Sequence, residues 1–433
     1  MSTSAAEHLS PAFPERAAWG TAGKLRAWQA GALERYLSTD PRDFLAVATP
    51  GAGKTTFALR LATELLGRGI VKKVTIVAPT EHLKTQWADA AARVGIQIDP
   101  RFTNRQVDEA SDYDGVALTY QGVASNPEVH RIRTERTPTL VILDEVHERS
   151  IESDVAFGLL ADVRALRDDL VVVAMSATLD APRFADLLAA TTASGEAPLV
   201  DCPSALPPLD VRWAPFDSPR LDARGVTRAF LEHVARITTR ALDDADTHAG
   251  GRGTAAATDA VANLAGLRGC DALVFLPGAR EVSIVAEQVR QLRPELDVLE
   301  LHGRIDAAEQ DRATAGRGPG EPRRVVVSTA LAESSLTVPG VRLVVDAGLS
   351  REPRRDVARG MNGLVTVACS RASAVQRAGR AARLGPGMAV RCYDEQTFAR
   401  MPEHVTPEMA TSDLTDVALT FAAWGTPGGT GLS

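Results

Sequence analysis

A glycine-rich turn lies between an apolar segment and a stretch with helical periodicity. It reads ATPGAGKTT from Ala48 to Thr56, and the helical pattern Phe57–Leu66 follows it. Glycine lets backbone N–H groups face phosphate oxygens, and the dipole of a helix N-terminus attracts anions. The turn predicts a phosphate-binding loop of the short G-x-G-K-T form, because Ala48 stands where the longer pattern has glycine.

The residues of this loop have separate predicted roles. Lys54 would neutralise the β- and γ-phosphates of ATP, and the hydroxyl of Thr55 would be a ligand of Mg²⁺. The alternative is a chance glycine-rich turn, and the flanking strand and helix argue against it. The loop residues predicted to bind the nucleotide are Thr49, Gly51, Ala52, Gly53, Lys54, Thr55 and Thr56.

Two adjacent carboxylates follow a second apolar segment. Asp144 and Glu145 come directly after the predicted strand Leu140–Leu143. Asp144 would hold Mg²⁺, and Glu145 would orient and deprotonate the water that attacks the phosphate. Adjacent acids at a strand end are also found as solvated charge. Downstream of a phosphate-binding loop, the catalytic interpretation is favoured.

A histidine and two hydroxyl residues near these acids suggest a coupling role. His147 lies two residues after Glu145, and Ser176 and Thr178 lie at the end of the next predicted strand. His147 would couple the ATP site to Ser176 and Thr178, or it would be an ordinary histidine at a strand end. The sequence leaves both interpretations open.

Arginines recur every three residues in a downstream helical segment. It reads QRAGRAAR from Gln376 to Arg383. Positions three apart share one face of a helix, so Arg380 and Arg383 would reach one anion. Such arginines accelerate phosphoryl transfer by about 10³–10⁵. We predict that Gln376, Arg380 and Arg383 complete an ATP site shared by two lobes, which close on ATP and open after hydrolysis. The alternative is a solvated basic helix.

Two series of short apolar strands, alternating with helical patterns, would carry these residues. Strands that are rich in Val, Ile and Leu and alternate with helices form parallel sheets buried on both faces. The predicted fold class is therefore α/β, with two tandem parallel-sheet domains. The predicted strands are Phe44–Ala48, Val74–Ala78, Val116–Thr119, Leu140–Leu143 and Leu170–Ala174, followed by Ala272–Leu276, Asp297–Glu300, Arg324–Ser328, Leu343–Asp346 and Ala389–Tyr393.

The composition of the other segments predicts the domain limits. A proline-containing stretch at 192–210 predicts a hinge, and a stretch rich in small residues at 243–271 predicts a surface insertion that is partly helical. The predicted parts are a flexible N-terminus at 1–21, a first lobe at 22–200, a second lobe at 205–397, and at 398–433 the start of a winged-helix-like region with a disordered tail.

The overall charge gives no direct sign of a nucleic-acid partner. The 433 residues carry a formal net charge of -7, so binding to RNA or DNA would need a local groove. The four cysteines, Cys202, Cys270, Cys369 and Cys392, lack metal-binding spacing and predict reduced thiols. No apolar run reaches transmembrane length, and the N-terminus does not resemble a signal peptide. We therefore expect a cytoplasmic protein.

Together these motifs resemble the superfamily 2 helicases over residues 22–425. From about residue 139 onward the resemblance narrows to the DEAH-box subgroup, with the HrpB-type bacterial helicases as the best fit. It implies two RecA-like lobes, ATP hydrolysis with Mg²⁺ and binding to nucleic acid. The segments that carry it are DEVHER from Asp144, MSATL from Met175, FLPG from Phe275, AESSLT from Ala332 and SRASAVQRAGR from Ser370.

The first 135 residues resemble a different branch of the superfamily. LRAWQ from Leu25 and VAPTEHLKTQW from Val77 are similar to XPB-like and restriction-type ATPases. By this resemblance Gln29 would read the adenine edge and favour ATP over other nucleotides. Alternatively, Gln29 caps or packs an ordinary helix. The DEAH resemblance favours RNA and 3′-to-5′ movement, whereas the XPB-like lobe favours DNA.

The family resemblance also implies nucleic-acid contacts in loops at the sheet edges. Such residues would touch phosphates and sugars, so binding would be independent of sequence and sensitive to salt. Each of them has an ordinary alternative as a turn or cap residue. They are Pro79, Thr80, Thr119 with Tyr120, His302 with Gly303, and Thr329.

Three departures from the family pattern bear on the activity. Ala382 and Ala330 replace a usual glycine and a usual asparagine. DEAH proteins also continue, where this chain stops, into domains that close a channel over the strand, so we expect weak or poorly processive unwinding. The main hypothesis is an ATP-dependent helicase or translocase, acting on RNA more than DNA. The alternatives are an ATP-regulated clamp without unwinding activity and, against the intact motifs, an inactive relic.

Overall fold

The protein consists of two compact units, seen in a computed structural model. The first unit is Met1–Ser204 together with Pro407–Ser433, and the second is Ala205–Thr406. The structure describes residues 25–39, 43–48, 52–105, 112–167, 169–176, 199–202, 207–248, 267–333, 338–356, 361–383 and 385–429. The predicted flexible N-terminus therefore lies outside the described residues.

The first unit is built on a seven-stranded sheet in which all neighbouring strands are parallel. Phe44 and Ala46 pack into the hydrophobic cluster on one face, whereas Leu45 and Val47 pack into the cluster on the other. Both faces are thus buried, which explains the continuous apolar runs. The strands are β1 (Asp43–Ala48), β2 (Lys73–Ala78), β3 (Ile98–Asp99), β4 (Gly115–Thr119), β5 (Thr139–Leu143), β6 (Leu170–Ser176) and β7 (Leu199–Cys202), in the spatial order β3-β4-β2-β5-β6-β1-β7.

Helices cover both faces of this sheet. Phe57 and Trp87 are buried on the face that carries Phe44, and Phe157 is buried on the opposite face. Several helices begin within a few residues of a strand end, where the predicted site residues lie. They are α1 (Ala27–Thr39), α2 (Lys54–Gly67), α3 (Glu81–Ala92), α4 (Tyr120–Ser125), α5 (Pro127–Glu135) and α6 (Ile151–Ala165).

The second unit repeats this architecture with six parallel strands and two antiparallel hairpins. Its strands are β8 (Leu209–Trp213), β9 (Leu221–Asp222), β10 (Gly225–Val226), β11 (Asp271–Phe275), β12 (Asp297–Leu301), β13 (Arg324–Ser328), β14 (Val341–Asp346), β15 (Leu349–Asp356), β16 (Met361–Ala368) and β17 (Gly387–Arg391). The sheet order is β12-β13-β11-β14-β17-β8, and the hairpins are β9–β10 and β15–β16. Its helices are α7 (Arg228–His248), α8 (Ala279–Leu292), α9 (Ala307–Thr314), α10 (Arg371–Gly379) and α11 (Glu395–Arg400).

The two parallel sheets confirm the predicted α/β fold class. Each predicted strand coincides with an observed one, with ends that differ by no more than two residues. Two edge strands overlap the stretch 192–210 that was predicted as a hinge: Leu199–Cys202 pairs with β1, and Leu209–Trp213 pairs with β17. The hinge prediction is therefore wrong for residues 199–202 and 209–210. Their proline-rich surroundings and short length hid them. The hairpin β15–β16 was not predicted either, because its strands carry polar residues.

The predicted insertion at 243–271 is structured at both ends. Residues 243–248 continue helix α7, and Leu267 is buried in the core of the second unit. The intervening residues 249–266 lie outside the described part. The ends of this stretch therefore belong to the lobe rather than to a surface loop.

The chain returns to the first unit after residue 406. Helix α12 (Thr415–Trp424) packs Val417 and Phe421 against Val155 and Leu159 of α6. The indole Nε1 of Trp424 donates a hydrogen bond to Asp162, at 2.8 Å. The sequence had placed 398–433 in a region of its own, whereas residues up to 406 belong to the second unit and the following ones belong to the first.

No helix in the described part of the chain is long and apolar enough to cross a membrane. Three of the four cysteines, Cys270, Cys369 and Cys392, are buried free thiols.

Candidate ATP site

The phosphate loop joins β1 to α2, and the structure describes it from Ala52 onward. Thr49 and Gly51 lie outside the described residues. Gly53 is left-handed, with φ 92° and ψ 37°, and a Cβ at this position would lie 2.5 Å from Nε2 of Gln29. Glycine is thus required by both the backbone conformation and the close packing. Because α2 begins at Lys54, residues Lys54, Thr55 and Thr56 form a first helical turn, whose amides suit an anion.

Gln29 supports this loop from helix α1. Its Oε1 accepts a hydrogen bond from the backbone N–H of Arg26 at 2.7 Å, as in a capping box, and its Nε2 donates to the carbonyl of Gly53 at 2.8 Å. The indole of Trp28 donates to the carbonyl of Ala52 at 3.0 Å. Both polar ends of the Gln29 amide are therefore used within the protein. The capping interpretation matches observed contacts, and adenine recognition stays a prediction.

Lys54 connects the phosphate loop to the acidic pair. Its Nζ lies 3.2 Å from Oε1 of Glu145 and 3.3 Å from Oε2, and both residues are buried. This ion pair joins the start of α2 to the end of β5, so the two predicted motifs meet. The ammonium and the carboxylate compensate each other's buried charge, so a ligand that attracts one of them must replace the other.

Asp144 is held by two side chains that were not predicted to belong to the ATP site. Nε1 of Trp87 donates to its Oδ2, and the hydroxyl of Tyr120 donates to its main-chain carbonyl, both at 2.8 Å. Burial, and then the charge of Glu145, raise the pKa of Asp144 to about 7, whereas Lys54 and Trp87 act in the opposite direction. The ionised form is therefore costly at this position, and a bound cation would stabilise it.

A strained turn follows this aspartate. We call Glu145–Arg149 the acidic turn. Glu145 and Arg149 both adopt left-handed backbone conformations, with φ 54° and 55°, and Val146–Glu148 form a 3₁₀ turn between them. In the described part of the chain, no other residue except glycine has a positive φ. Such conformations cost about 1–2 kcal/mol each and persist where surrounding contacts hold them, often at functional sites.

His147 lies within the acidic turn and contacts the predicted base. Its Nδ1 is 3.3 Å from Oε2 of Glu145. Ser176 is fully buried at the end of β6, the parallel neighbour of β5. Thr178 lies outside the described residues. The structure thus brings His147 to Glu145, and coupling through Ser176 and Thr178 stays a prediction.

The arginine-rich segment in the second unit changes geometry within the motif. Helix α10 ends at Gly379, and Arg380–Ala382 form a 3₁₀ turn. Residues three apart also share a side in a 3₁₀ turn, so Arg380 and Arg383 remain neighbours. Arg383 is partly buried and Gln376 is buried. The catalytic roles of these residues stay predictions.

Arg377 and Arg380 are engaged within the second unit. Arg377 is buried in ion pairs with Glu333 at 2.9 Å and Asp346 at 3.0 Å, and its guanidinium lies 5.3 Å from the ring centre of Phe275. Arg380 donates through Nε to the main-chain carbonyl of Glu333 at 2.8 Å, and its terminal nitrogen donates to the same oxygen. Arg377 therefore stabilises the lobe core, and the Glu333 carbonyl accepts from two of the five N–H donors of Arg380.

Several residues predicted to contact nucleic acid have local structural roles. Oγ of Thr80 accepts from the backbone of Leu83, and Oγ of Thr119 accepts from Gly122, so both cap helices. Tyr120 is buried beneath Asp144, so the predicted contact of its side chain with nucleic acid is wrong.

The remaining predicted nucleic-acid residues lie in strand-end loops, where all but Gly303 are half-buried. Nδ1 of His302 accepts from the N–H of Arg304, and Thr329 precedes a short 3₁₀ turn. Gly303 is exposed beside His302, and Pro79 lies at the end of β2. Each of these residues is at least partly exposed to solvent near a strand end. Their contacts with nucleic acid stay predictions.

The donor set at the loop fits a nucleotide with Mg²⁺. Thr55 and Asp144 supply the hard oxygen atoms that Mg²⁺ prefers, and they adjoin the paired residues Lys54 and Glu145. Within the described part of the chain, no group of three His, Cys, Asp or Glu side chains forms a metal site.

Comparisons with known families match each unit separately. The family of the type III restriction enzyme res subunit matches residues 22–181, and the helicase conserved C-terminal domain matches residues 257–385. The first match falls on the lobe whose motifs resemble restriction-type ATPases.

Longer relatives match most of the chain. HrpB of Escherichia coli, an ATP-dependent RNA helicase, is 33% identical over 403 residues, which cover 90% of this chain and 44% of HrpB. HrpA of the same species is 29% identical over 399 residues, which cover 89% of this chain and 27% of HrpA. An uncharacterized protein of Mycobacterium tuberculosis, Rv2917, is 58% identical over 123 residues, 28% of this chain and 20% of that protein. The chain thus spans less than half the length of each of these relatives.

The fold and the site define the class. Two tandem RecA-like domains, a phosphate loop and an Asp-Glu-Val-His motif are the features of a superfamily 2 helicase core, and the family matches and HrpB support the same class for this chain. Within that class the chain resembles the DEAH type and is similar to HrpB, as its motifs predicted. The crystal structure of the E. coli DExH-box NTPase HrpB superposes with a TM-score of 0.70 and 30% identity, covering 93% of this chain and 46% of that one.

Proposed function

We propose that this chain is the core of an ATP-dependent RNA helicase, which hydrolyses ATP with Mg²⁺ at a site completed by both lobes. The observation that carries the proposal is the 3.2 Å contact between Lys54 and Glu145, which joins the phosphate loop to the acidic turn. Residues that are remote in sequence and suited to the two halves of phosphoryl transfer meet at one sheet edge.

In the proposed chemistry, Lys54 exchanges one anionic partner, the Glu145 carboxylate, for another, the phosphates of ATP. The phosphates of ATP would take Lys54 from Glu145, and the freed carboxylate would orient and deprotonate the attacking water. His147 would keep the Glu145 carboxylate in place. Thr55 and Asp144 would hold Mg²⁺, which when bound neutralises charge on the phosphates.

The second lobe would supply cations for the transition state. Gln376, Arg380 and Arg383 are the proposed contributors, with Arg383 as the arginine finger. The Glu333 carbonyl fixes Nε and one terminal nitrogen of Arg380, so the other N–H groups of this side chain would face the phosphates.

RNA is the proposed polymer because HrpA and HrpB are named RNA helicases. The proposed contacts are backbone contacts, so affinity would fall steeply with salt and vary little with sequence. We propose that Pro79, Thr80, Thr119, His302 and Thr329 contribute them, through main-chain groups where the side chain caps a helix.

The test is ATP hydrolysis by the full chain with and without single-stranded RNA or DNA. We expect Mg²⁺-dependent hydrolysis that RNA stimulates more than DNA. Glu145→Gln should lower kcat by about 10²–10⁴ while ATP still binds, because the variant loses the base but keeps Lys54. Wild-type turnover in this variant would contradict the assignment of Glu145 as the base. A rate of ATP hydrolysis that neither RNA nor DNA changes would contradict the helicase proposal.

A strand-displacement assay separates movement from binding. A helicase displaces a paired strand only with ATP and only when Glu145 is intact. RNA-stimulated ATP turnover and ATP-dependent RNA affinity without displacement would instead identify an ATP-regulated clamp.

A further inference from the structure

The first residues that follow the second unit attach to the acidic turn. The chain passes from the second unit to the first between Thr406 and Pro407. The backbone N–H of Glu408 donates to the carbonyl of Arg149 at 3.2 Å, and Oε2 of Glu408 accepts from the N–H of Ile151 at 3.1 Å. One residue from the far end of the chain thus holds both sides of the point where the acidic turn enters helix α6.

This point needs external support because Arg149 is left-handed. Its guanidinium binds Asp154, with Nε 2.8 Å from Oδ1, and Oγ of Ser150 caps α6 by accepting from the N–H of Ser153. The two contacts of Glu408 complete the set. The exit of the turn is therefore held through the Arg149 side chain, the Arg149 carbonyl and the Ile151 amide. A strained conformation persists only where surrounding contacts specify it in this way.

We propose that Glu408 is a positioning residue for ATP hydrolysis, which holds the exit of the acidic turn so that Glu145 and His147 stay aligned. This inference rests on the proposed role of Glu145 as the base. The acidic turn is only five residues long, and both of its ends are left-handed. Release of Arg149 therefore changes the direction of the backbone that carries Glu145.

The chemistry of the contact suits a carboxylate. The N–H of Ile151 belongs to the first turn of α6, where amides lack intrahelical partners and the helix dipole attracts negative charge. The carboxyl of Glu408 is partly removed from water, and this burial raises its pKa. The bond is thus partly shielded from water.

The same segment is anchored in the second unit immediately before it reaches the first. There the carbonyls of Pro402 and Glu403 accept hydrogen bonds from the N–H groups of Arg371, at 2.7 Å, and Ala372, at 3.1 Å. These are the first residues of α10, the helix that carries Gln376. Five residues after Glu403, Glu408 binds the acidic turn. The backbone therefore links the start of α10 to the exit of that turn.

The test uses Glu408→Ala and Glu408→Gln in the full chain. Alanine removes the acceptor for Ile151, whereas glutamine keeps an acceptor oxygen. We expect Glu408→Ala to lower kcat about tenfold with KM for ATP changed by less than about twofold, because the phosphate loop is untouched. A misplaced group can lose about 10²-fold in rate, so a tenfold loss corresponds to a modest shift. Glu408→Gln should stay within about threefold of wild-type kcat.

Trp424→Phe is the matched control. Trp424 belongs to the same C-terminal segment and contacts α6, but through Asp162, at the other end of that helix. The variant keeps the aromatic packing and loses one bond, so kcat should stay near wild type. Equal losses of kcat in Trp424→Phe and Glu408→Ala would show that both residues only dock the segment, which would overturn the positioning role.

Hydrogen exchange gives a readout that does not depend on activity. The amides of residues 145–151 should exchange faster in Glu408→Ala, and at wild-type rates in Glu408→Gln and Trp424→Phe. Unchanged exchange in Glu408→Ala would overturn the inference even if ATP is hydrolysed. An inactive wild-type chain would instead refute the proposed function, so the two failures are distinguishable.

Discussion

The two sets of predicted ATP-site residues are held in opposite ways. In the first unit, Lys54 and Glu145 contact each other directly, and the neighbouring Asp144 is fixed by Trp87 and Tyr120. In the second unit, Arg380 of the predicted set donates to the carbonyl of Glu333 in its own lobe, as the neighbouring Arg377 pairs with the Glu333 carboxylate. Predicted residues of the first set therefore contact each other, whereas Arg380 of the second set contacts the core of its own lobe.

The difference follows from the length of the side chains. Asp144 and Glu145 stand on short side chains at the end of a buried strand, so the backbone decides where they point. An arginine on a helix reaches several ångströms in any of several directions, and local acceptors decide which one it takes. Spacing alone therefore predicts the position of strand-end acids better than the role of helical arginines.

The largest expected effect concerns Arg383. If it is the arginine finger, Arg383→Ala should lower kcat for ATP by about 10³–10⁵ with little loss of ATP binding. Arg383→Lys keeps the charge without the planar fork and should recover part of the rate. Parallel measurements of turnover and equilibrium nucleotide binding check this. An unaffected rate would assign Arg383, like Arg377, to the structure of its lobe.

A second variant tests whether Arg377 is structural. Arg377→Met leaves the buried carboxylates of Glu333 and Asp346 without their cation, so it should lower the free energy of unfolding by about 3–5 kcal/mol. Arg371→Met is the control on the same helix. Arg371 pairs with the exposed Glu403 at 3.5 Å, and its loss should cost less than about 1 kcal/mol. Chemical denaturation measures both. If both variants lost less than about 1 kcal/mol of unfolding free energy, Arg377 would not be a structural residue of the second lobe.

The smallest effect concerns the support of Asp144. Trp87→Phe removes the indole N–H from Asp144 and should cost about 1.5–3 kcal/mol of unfolding free energy, because the acceptor is a charged group. The measurement belongs above the pKa of Asp144, about 7, where the carboxylate is ionised. Trp28→Phe loses a bond to the neutral carbonyl of Ala52 and should cost about 1 kcal/mol. A smaller loss in Trp87→Phe than in Trp28→Phe would show that Asp144 does not depend on this donor.

Much of the fold could be predicted because its strands bury both faces. Runs such as Leu140–Leu143 are apolar at every position, so they differ clearly from surface segments, in which polar and apolar residues alternate. Helices separate these runs. The edge strands β7 and β8 and the hairpin β15–β16 escaped prediction. Edge strands and hairpins pair on one side or face water on one surface, so their residues carry a weaker apolar signal.

The candidate site could be predicted in part for a similar reason. The pairing of Lys54 with Glu145 follows from two motifs that each end a parallel strand at the same edge of the sheet. The supports of this pair had no local signal. In the sequence Trp87 looks like an ordinary core aromatic, and Tyr120 was placed with the predicted nucleic-acid contacts. Their hydrogen bonds to Asp144 depend on the packing of α3 and α4 beside β5.

The sequence by itself indicated the class of this protein and the acids and the lysine proposed for its ATP site, because these depend on local order: strand, glycine turn, helix, and carboxylates at a strand end. Only the tertiary structure decided which arginines hold the second lobe together, and that Glu408 returns to hold the acidic turn. Those outcomes depend on contacts between residues far apart in sequence, which composition and spacing do not encode.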